Sequence, residues 1–254
     1  MLSSAPDRNE TMPRSTPAEV ELAQLRAAHE DLLRAISHDL RAPLRHITAF
    51  APLLREILEP APLAPPEREE ALEFLDTMEQ AGQRMGRMID ALLALSRIQA
   101  APLRLEPVNL QRLLAQVVDE VSGAAQGRAI AWHISPLLPE VQADSQLLRV
   151  ALKELLANAL KFTRPCPAPC ITVACARDAA GGWSLSVQDN GVGFDMAQSV
   201  GLFGLFQRLH PEREFEGVGG GLALVSAVAA RLGGGVSAQA QAGQGCTVTV
   251  QWPG

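Results

Sequence analysis

The first hundred residues place apolar side chains at helical spacing. Leucine and isoleucine, joined by methionine in the second segment, recur at intervals of three, four and seven residues across residues 18–58 and 67–98. This is the period of an amphipathic helix. The segment between them, residues 59–66, holds four prolines and is incompatible with a helix interior. The pattern therefore predicts two long helices joined by a short loop, an antiparallel helical hairpin.

Domain organisation follows from the limits of this helical pattern. Residues 1–17 are rich in proline, serine, threonine and charged residues and show no period, so we expect a disordered tail. Residues 18–100 form the predicted helical domain. Because a hairpin cannot cover its own apolar stripe, we expect a second copy to complete a dimeric four-helix bundle. Residues 100–107 mark a boundary, and residues 108–254 form a second domain.

The second domain mixes helical and strand-like patterns. Helices are predicted over residues 109–121, 145–162 and 222–232, the first two behind the capping residues Asn109 and Asp144. Apolar and polar residues alternate in the stretches AIAWHIS, ITVACA, WSLSVQD and CTVTVQW, which predicts strands. We therefore expect an α/β sandwich, with helices on one face of a mixed sheet, to follow the hairpin.

Charge and hydropathy exclude some partners. The chain of 254 residues carries a formal net charge of −6, which argues against binding to nucleic acid or to an anionic membrane surface. No apolar run approaches the roughly 20 residues that span a bilayer, and no signal-peptide pattern opens the sequence. We therefore predict a soluble, cytoplasmic protein that contacts neither membrane nor nucleic acid.

A polar stripe runs along the predicted helix 145–162. Glu154, Asn158 and Lys161 stand at positions i, i+4 and i+7 and share one face. The carboxylate and the amide are hard oxygen ligands that suit a hydrated Mg²⁺, and the lysine would supply countercharge to a triphosphate. A solvated helix face is the alternative interpretation of the same three residues.

Glycine-rich segments follow the polar stripe. Asp189 ends a predicted strand and precedes Asn-Gly-Val-Gly, so its carboxylate would accept a hydrogen bond from an adenine amino group while the glycines let the backbone approach the ring. The second segment, residues 216–225, opens directly into a helix, where free N–H groups bind anions. It is no dinucleotide fingerprint, because no strand precedes it. A third glycine-rich turn, residues 243–247, comes before the last strand.

Five stretches, in this order, resemble the signature boxes of sensor histidine kinases, most closely the bacteriophytochrome-like group. The similarity extends over residues 20–252. The stretch SHDLRAPL is similar to the phosphoacceptor box, ELLANALKFT to the N box, DNGVGFD to the G1 box, LFGLFQRLH to the F box and EGVGGGLALV to the G2 box. The resemblance implies a dimerisation and phosphoacceptor hairpin followed by a GHKL-type (Bergerat) ATP-binding domain.

The resemblance also implies roles for individual residues. His38 would be the phosphoacceptor, and Asp39 the acidic neighbour that helps to orient and deprotonate it. Asn158, with Glu154 beside it, would hold Mg²⁺, and Asp189 would bind adenine. The remaining ATP contacts implied in this way are Lys161, Gly191, Gly193, Arg208, Gly217, Gly219, Gly221 and Thr247.

The predicted function is that of a two-component histidine protein kinase. It would use Mg·ATP to phosphorylate its own His38 and would pass the phosphoryl group to an aspartate on the receiver domain of a response regulator. No sensory domain is visible in the sequence. We therefore expect either that a separate sensory protein supplies the input through the first helix or that the chain is a truncation.

Departures from the family pattern leave alternatives open. Glu154 stands where many members carry asparagine, and resembles the carboxylate that activates water in gyrase and Hsp90 ATPases. Val218 and Gly220 depart from the usual Gly-Thr-Gly-Ile-Gly of the G2 box, and each change would loosen ATP binding. One alternative is a GHKL-type ATPase that uses Glu154. Another is a degenerate kinase that serves as a dimeric scaffold or phosphotransfer platform.

Overall fold

The computed structural model of the protein describes residues 17–61, 64–125, 127–178 and 181–254. The predicted tail lies outside the described residues, apart from Pro17, the first residue of helix α1. Helix α1 spans Pro17–Leu58 and helix α2 spans Pro65–Ala100. The helical hairpin predicted from the apolar period is confirmed.

Ion pairs between the two helices show that they run antiparallel. Arg41 pairs with Asp90 at 2.6 Å, and Arg55, further along α1, pairs with Asp76 at 2.5 Å, further back along α2. Exposed ion pairs contribute at most about 1 kcal/mol each, so these two define the register of the hairpin more than its stability. The buried apolar cluster between the helices comprises Leu44, Ile89 and Leu93.

The start of α2 corrects the predicted loop. Two of the four prolines assigned to the loop, Pro65 and Pro66, form the first turn of the helix. Proline is tolerated there because the first N–H groups of a helix have no intrahelical partner. The backbone N–H of Ala64 donates to the Glu67 carboxylate at 3.3 Å, which satisfies one group at the helix start. The helix therefore begins two residues before its predicted start.

The hairpin leaves large apolar side chains exposed. On α1 these include Phe50, Leu53 and Ile57, and on α2 Phe74, which are 57%, 51%, 66% and 61% exposed, respectively. Within the described residues, no helix combines the length and the apolar character needed to cross a membrane. The exposed apolar surface of the hairpin, Phe50, Leu53, Ile57 and Phe74, is of the kind that marks an interaction site.

In the part that the structure describes, the second domain contains two sheets and three longer helices. A small antiparallel sheet pairs β1 with β3, and a five-stranded sheet has the order β2-β4-β5-β7-β6, in which only β2 and β4 are parallel. The mixed sheet predicted from the sequence is confirmed. The elements are β1 (Glu106–Asn109), α3 (Leu110–Ser122), β2 (Ala131–Ile134), β3 (Glu140–Ala143), α4 (Ser145–Phe162), β4 (Cys170–Arg177), β5 (Trp183–Asp189), α5 (Gly221–Arg231), β6 (Gly235–Gln241) and β7 (Gly245–Trp252).

The core of this domain lies between one face of the five-stranded sheet and the helices. Along β5, Leu185 and Val187 are buried, while Ser184 and Ser186 on the opposite face are half-buried. Helix α4 packs against both α3 and α5, and the three helices contribute the apolar side of the sandwich. The predicted sandwich architecture is therefore confirmed, with the apolar alternation of each strand turned toward the helices.

The two domains touch through helix α2. Ile98, near the end of α2, belongs to the core of the second domain. Further back, Ala91 faces the turn before α5, where a Cβ added to Gly220 would lie 2.8 Å from the Cβ of Ala91. Arg84 pairs with Glu212 of the second domain at 3.0 Å. One side of helix α2 therefore packs against α1, and another side contacts the second domain.

Candidate active site

Helix α4 supplies the central part of the candidate site. Its start is set by Asp144, whose carboxylate accepts hydrogen bonds from the N–H groups of Gln146 and Leu147 at 3.0 and 3.1 Å, as an N-cap does. From that start, the apolar face of α4 enters the core, and Glu154, Asn158 and Lys161 all reach one cavity. The alternative of a solvated helix face is thereby excluded for this stripe.

The cavity has a volume of about 650 Å³, within the range of ligand pockets in proteins. Its walls come from α4, from the end of β5, from the segment 207–222 and from α2. The predicted site residues that line it are Glu154, Asn158, Lys161, Asp189, Gly193, Arg208, Gly217, Gly219 and Gly221. The tertiary structure thus brings together residues that are up to 67 positions apart in the sequence.

The start of α5 lies directly against the polar stripe. A Cβ added to Gly221 would lie 2.6 Å from Oε2 of Glu154 and 3.5 Å from Nδ2 of Asn158. Only glycine lets the backbone approach the carboxylate and the amide this closely. Two oxygen-bearing side chains beside the N–H groups of a helix start form a donor set that fits a hydrated divalent cation and the phosphates it accompanies.

Burial changes the acidity of two groups on the stripe. Burial raises the pKa of Glu154, an effect that Lys153 and Lys161 partly oppose. Burial also lowers the pKa of Lys161, and the nearby Arg208 lowers it further. The ammonium of Lys161 lies 4.4 Å from the centre of the Phe162 ring. A cation that is partly desolvated in this way gains from an anionic ligand, because the ligand restores the interactions that burial removed.

Asp189, at the end of β5, contributes a carboxyl group to the cavity wall. Its side chain is 8% exposed and accepts a hydrogen bond from the Gly191 N–H at 2.8 Å. Burial raises its pKa to about 6, although backbone hydrogen bonds from Gly191 and Cys246 oppose the rise. Gly193, with a φ of 56°, holds a left-handed turn here, and any side chain would overlap the carbonyl of Gln241. Gly191 itself lies behind Asp189, outside the cavity lining.

The loop before α5 closes one side of the cavity and uses the predicted basic residue. The guanidinium of Arg208 donates to the carbonyl of Gly217 and, at 2.8 Å, to that of Phe215. It also lies 3.3 Å from the carboxylate of Glu212. In this arrangement Arg208 holds the loop together at the cavity wall. Its role toward a phosphate stays a prediction.

Thr247 does not line the cavity, and its predicted contact with ATP stays a prediction. Its neighbours in β7, Cys246 and Val248, line the wall, because side chains alternate between the two faces of a strand. Thr247 pairs with Gln188 and Gln239 on the opposite, more polar face of the sheet. The backbone N–H of Cys246 also contacts the site, because it donates a hydrogen bond to the carboxylate of Asp189.

Sequence reasoning missed two sets of residues at the cavity. One is an aromatic cluster of Phe162, His210 and Phe215, whose ring centres lie 5.1 to 5.4 Å apart. The other is the wall contributed by α2, which comprises Arg87, Asp90, Ala91 and Ala94. The F-box stretch contains His210 and was a signal for the first set. The second set had no signal, because polar residues on a long helix are typical of any solvated face.

His38 and Asp39 lie on α1, outside the cavity lining. Both side chains are more than 80% exposed, and Nδ1 of His38 is 3.2 Å from Oδ1 of Asp39. Arg41, three residues further along, pairs with Asp90 on the cavity wall. Because the helices are antiparallel, His38 lies at the height of the part of α2 that lines the cavity.

Comparison with known proteins identifies both halves of this arrangement. Residues 28–101 match the family described as "His Kinase A (phospho-acceptor) domain". Residues 143–254 match "Histidine kinase-, DNA gyrase B-, and HSP90-like ATPase". The chain belongs to the histidine kinase family. The relationship predicted from the five sequence boxes is therefore confirmed for this histidine kinase core.

Individual relatives agree with this assignment. The chain is 31% identical over 236 residues to "Circadian input-output histidine kinase CikA" of Synechococcus elongatus, covering 89% of this chain and 30% of the relative. It is 31% identical over 212 residues to "Cyanobacterial phytochrome A" of a Nostoc species, covering 83% of this chain and 26% of the relative. The histidine kinase core thus spans less than a third of the length of these curated relatives.

Solved structures show the same fold. The structure described as "ShkA full-length in complex with AMPPNP" matches with a TM-score of 0.62 and 30% identity, covering 88% of this chain and 45% of that one. The Acinetobacter baumannii histidine kinase AdeS matches with a TM-score of 0.57 at 18% identity, covering 85% of this chain and 98% of that one. At that identity the second likeness concerns the fold alone.

Proposed function

We propose that this chain is the catalytic core of a two-component histidine protein kinase. It would transfer the γ-phosphoryl group of Mg·ATP to His38 and then to an aspartate on a response regulator receiver domain. The observation that carries the proposal is an exposed imidazole with an acidic neighbour, at the height of a nucleotide-sized cavity lined by a buried carboxyl group and several cations. The nucleotide analogue bound in the related ShkA structure supports the same ligand class.

The residues of the cavity suit the parts of ATP. The buried carboxylate of Asp189 would accept a hydrogen bond from the adenine amino group. Lys161 and Arg208 would face the phosphates, and Glu154 with Asn158 would hold Mg²⁺. When bound, the ion would neutralise phosphate charge, which is a main requirement of phosphoryl transfer.

His38 has the arrangement that a nitrogen nucleophile needs. The carboxylate of Asp39 next to Nδ1 favours the tautomer with the proton on Nδ1, which leaves the lone pair on Nε2 free. In the transfer, Nε2 would form a bond to the γ-phosphorus while the bond from that phosphorus to the bridging oxygen breaks and ADP leaves. The proton on Nδ1 would then be shared with Asp39, which offsets the positive charge that develops on the ring.

The transfer steps can be followed by the stability of the phosphate bond. Incubation with Mg²⁺ and γ-labelled ATP is expected to give a label that is acid-labile and alkali-stable, and EDTA is expected to prevent it. Receiver domains encoded in the same genome are then added one at a time, and the label should move to one of them. The control is the same receiver with its phosphoacceptor aspartate changed to asparagine. A label that stays on this chain with every receiver would contradict the transfer step.

We also propose that the core is a homodimer, because the exposed apolar surface of the hairpin needs a partner of the same character. Light scattering is expected to give about twice the chain mass of 27.1 kDa. Ile57→Glu, which puts a charge on that surface, is expected to lower the mass to that of a monomer. Val200→Glu is the matched control, since Val200 is 90% exposed on the second domain. If Ile57→Glu stays dimeric, as Val200→Glu is expected to, the result would contradict this interface.

Three further predictions from the sequence stay proposals. The cytoplasmic location and a separate sensory protein as the source of the signal are two of them. The domain limits, with residues 18–100 as the phosphoacceptor domain and residues 108–254 as the ATP-binding domain, are the third. The two alternative functions, an ATPase that uses Glu154 and a scaffold without ATP binding, are separated from the kinase by the experiments on His38 and Asp189 in the Discussion.

A further inference from the structure

Helix α2 forms part of the wall of the nucleotide cavity, although the sequence assigns it only to the hairpin. Arg87, Asp90, Ala91 and Ala94 line the cavity on successive turns. Ala91 and Ala94 are small and leave room for the approach of the second domain. Arg87 is different, because its cationic side chain is 45% exposed at the cavity. A partly exposed guanidinium at the wall of a nucleotide site can bind the phosphates of the ligand.

The contact between α2 and the G2 turn explains one departure from the family pattern. A Cβ on Gly220 would lie 2.8 Å from the Cβ of Ala91, closer than such atoms approach in proteins. Glycine at this position therefore permits the turn to rest on α2. Glycine at position 220 thus lets α2, which carries Arg87, lie next to the cavity.

Glu212 occupies the place where several cations converge. Its carboxylate lies 3.0 Å from Arg84, 3.3 Å from Arg208 and 3.7 Å from Arg87. Arg87 and Arg208 line the nucleotide cavity, and Arg84 does not. The contact to Arg87 is the longest of the three, so this guanidinium is held least firmly. A carboxylate between two arginines of a phosphate site occupies them as an anionic ligand would.

We propose that Arg87 is a contact for the triphosphate of ATP, supplied by the hairpin, and that Glu212 holds this arginine when no nucleotide is bound. The inference rests on the proposed kinase function and deepens it. The triphosphate carries more negative charge than Glu212 and presents oxygens to both guanidinium groups, so it displaces the carboxylate. Since Arg87 belongs to the phosphoacceptor domain, ATP binding then favours the docked arrangement of the two domains. By thermodynamic linkage, docking favours ATP binding to the same degree.

Binding measurements on the full chain test this role without relying on catalysis. The dissociation constants of ATP and of adenosine are measured by calorimetry, with Mg²⁺ present. Arg87→Gln is expected to weaken ATP binding about tenfold, the value of a lost charge-assisted hydrogen bond. Adenosine binding should stay unchanged, because adenosine has no phosphate. Arg84→Gln is the matched control, one turn earlier on the same helix and also paired with Glu212, and should keep the ATP affinity within about twofold.

A second pair of variants tests the competing carboxylate. Glu212→Gln is expected to tighten ATP binding several-fold, because the arginines no longer have to exchange an anion. Glu214→Gln is its control, since Glu214 lies two residues away and pairs only with the exposed Arg213 at 3.9 Å among the ion pairs of the described residues. It should leave the affinity unchanged.

The outcomes separate this inference from the function on which it rests. If the unmutated chain binds no ATP, the kinase proposal fails and the inference fails with it. If the unmutated chain binds ATP and Arg87→Gln binds it as tightly as Arg84→Gln does, only the role of Arg87 is overturned. Equal losses of ATP and adenosine affinity in Arg87→Gln would also overturn it, because they would indicate a change in the cavity as a whole. Measuring the ATP and adenosine affinities of Arg87→Lys repeats this comparison with a side chain that keeps its positive charge.

Discussion

Replacement of His38 by alanine is expected to abolish phosphorylation of the chain while ATP still binds. The imidazole is the nucleophile in the proposed reaction, and nothing else on that turn of α1 offers a free nitrogen lone pair at cellular pH. Because the side chain is 84% exposed and, among the described residues, forms its one polar contact with Asp39, its removal should leave the fold and the cavity unchanged. Intact-mass measurement after incubation with Mg·ATP should show no added phosphate, and calorimetry should show an unchanged ATP affinity.

The matched control is His46→Ala, an exposed histidine eight positions further along the same helix. It should be phosphorylated like the unmutated chain. Equal phosphate on both variants would contradict the assignment of His38. The same pair decides between kinase and ATPase, since undiminished release of inorganic phosphate from ATP by His38→Ala would support the ATPase alternative based on Glu154.

Replacement of Asp189 by asparagine is expected to weaken ATP binding about a hundredfold, the upper range for the loss of a hydrogen bond to a charged group. The asparagine oxygen would still accept the Gly191 N–H, so its amide group would turn a second donor toward the adenine amino group. Two donors then oppose each other in a buried site. Calorimetry with ATP measures the loss. An affinity within threefold of the original would contradict adenine recognition by Asp189.

The same variant is expected to be more stable than the original chain at pH 7.5. Burial raises the pKa of Asp189 from 3.8 to about 6, so the folded state binds more protons than the unfolded state between these values. The stability linked to this carboxyl group is therefore fully present below about pH 4 and is lost as pH rises through 6. Asparagine does not ionise, so the variant avoids this loss of stability. The loss corresponds to about 1–3 kcal/mol in the free energy of unfolding at neutral pH.

Urea unfolding at several pH values measures this difference. The gain of Asp189→Asn over the original chain should be largest above pH 7 and should shrink toward pH 4. Cys246→Ala offers a comparison at the same point of β7, because it changes a neighbouring side chain but keeps the backbone N–H that bonds to Asp189. A gain that does not depend on pH would contradict the buried ionised carboxylate as its cause. If Asp189→Asn binds ATP more weakly and is also more stable than the original chain, the result would indicate that Asp189 serves binding rather than stability.

The sequence alone determined the features that depend on neighbours along the chain. The apolar period predicts both helices of the hairpin because helix faces repeat every three to four residues. Asn109 and Asp144 mark the starts of α3 and α4, and each indeed caps its helix. The stripe of Glu154, Asn158 and Lys161 was also predictable, since side chains four positions apart share a helix face. The order of the five boxes also predicted the family to which the chain belongs.

Boundaries and short strands were less predictable. The strands β1, β3 and β6 were not predicted, the first two because each contains one large apolar residue, Val108 and Val141, and so shows no alternation. The sequence also does not tell which face of β7 turns to the helices, so it could not place Thr247 relative to the cavity. That choice depends on the partners of the strand in the sheet.

Only the tertiary structure decided what surrounds the cavity. The wall that α2 contributes, the contact of Gly220 with Ala91 and the shared carboxylate of Glu212 join residues about 120 to 130 positions apart. No local pattern marks them, because on α2 a polar residue that faces solvent and one that faces a docked domain have the same spacing. Their roles arise from the packing of one domain on the other, and packing at this range is set by the shape and charge of complete surfaces.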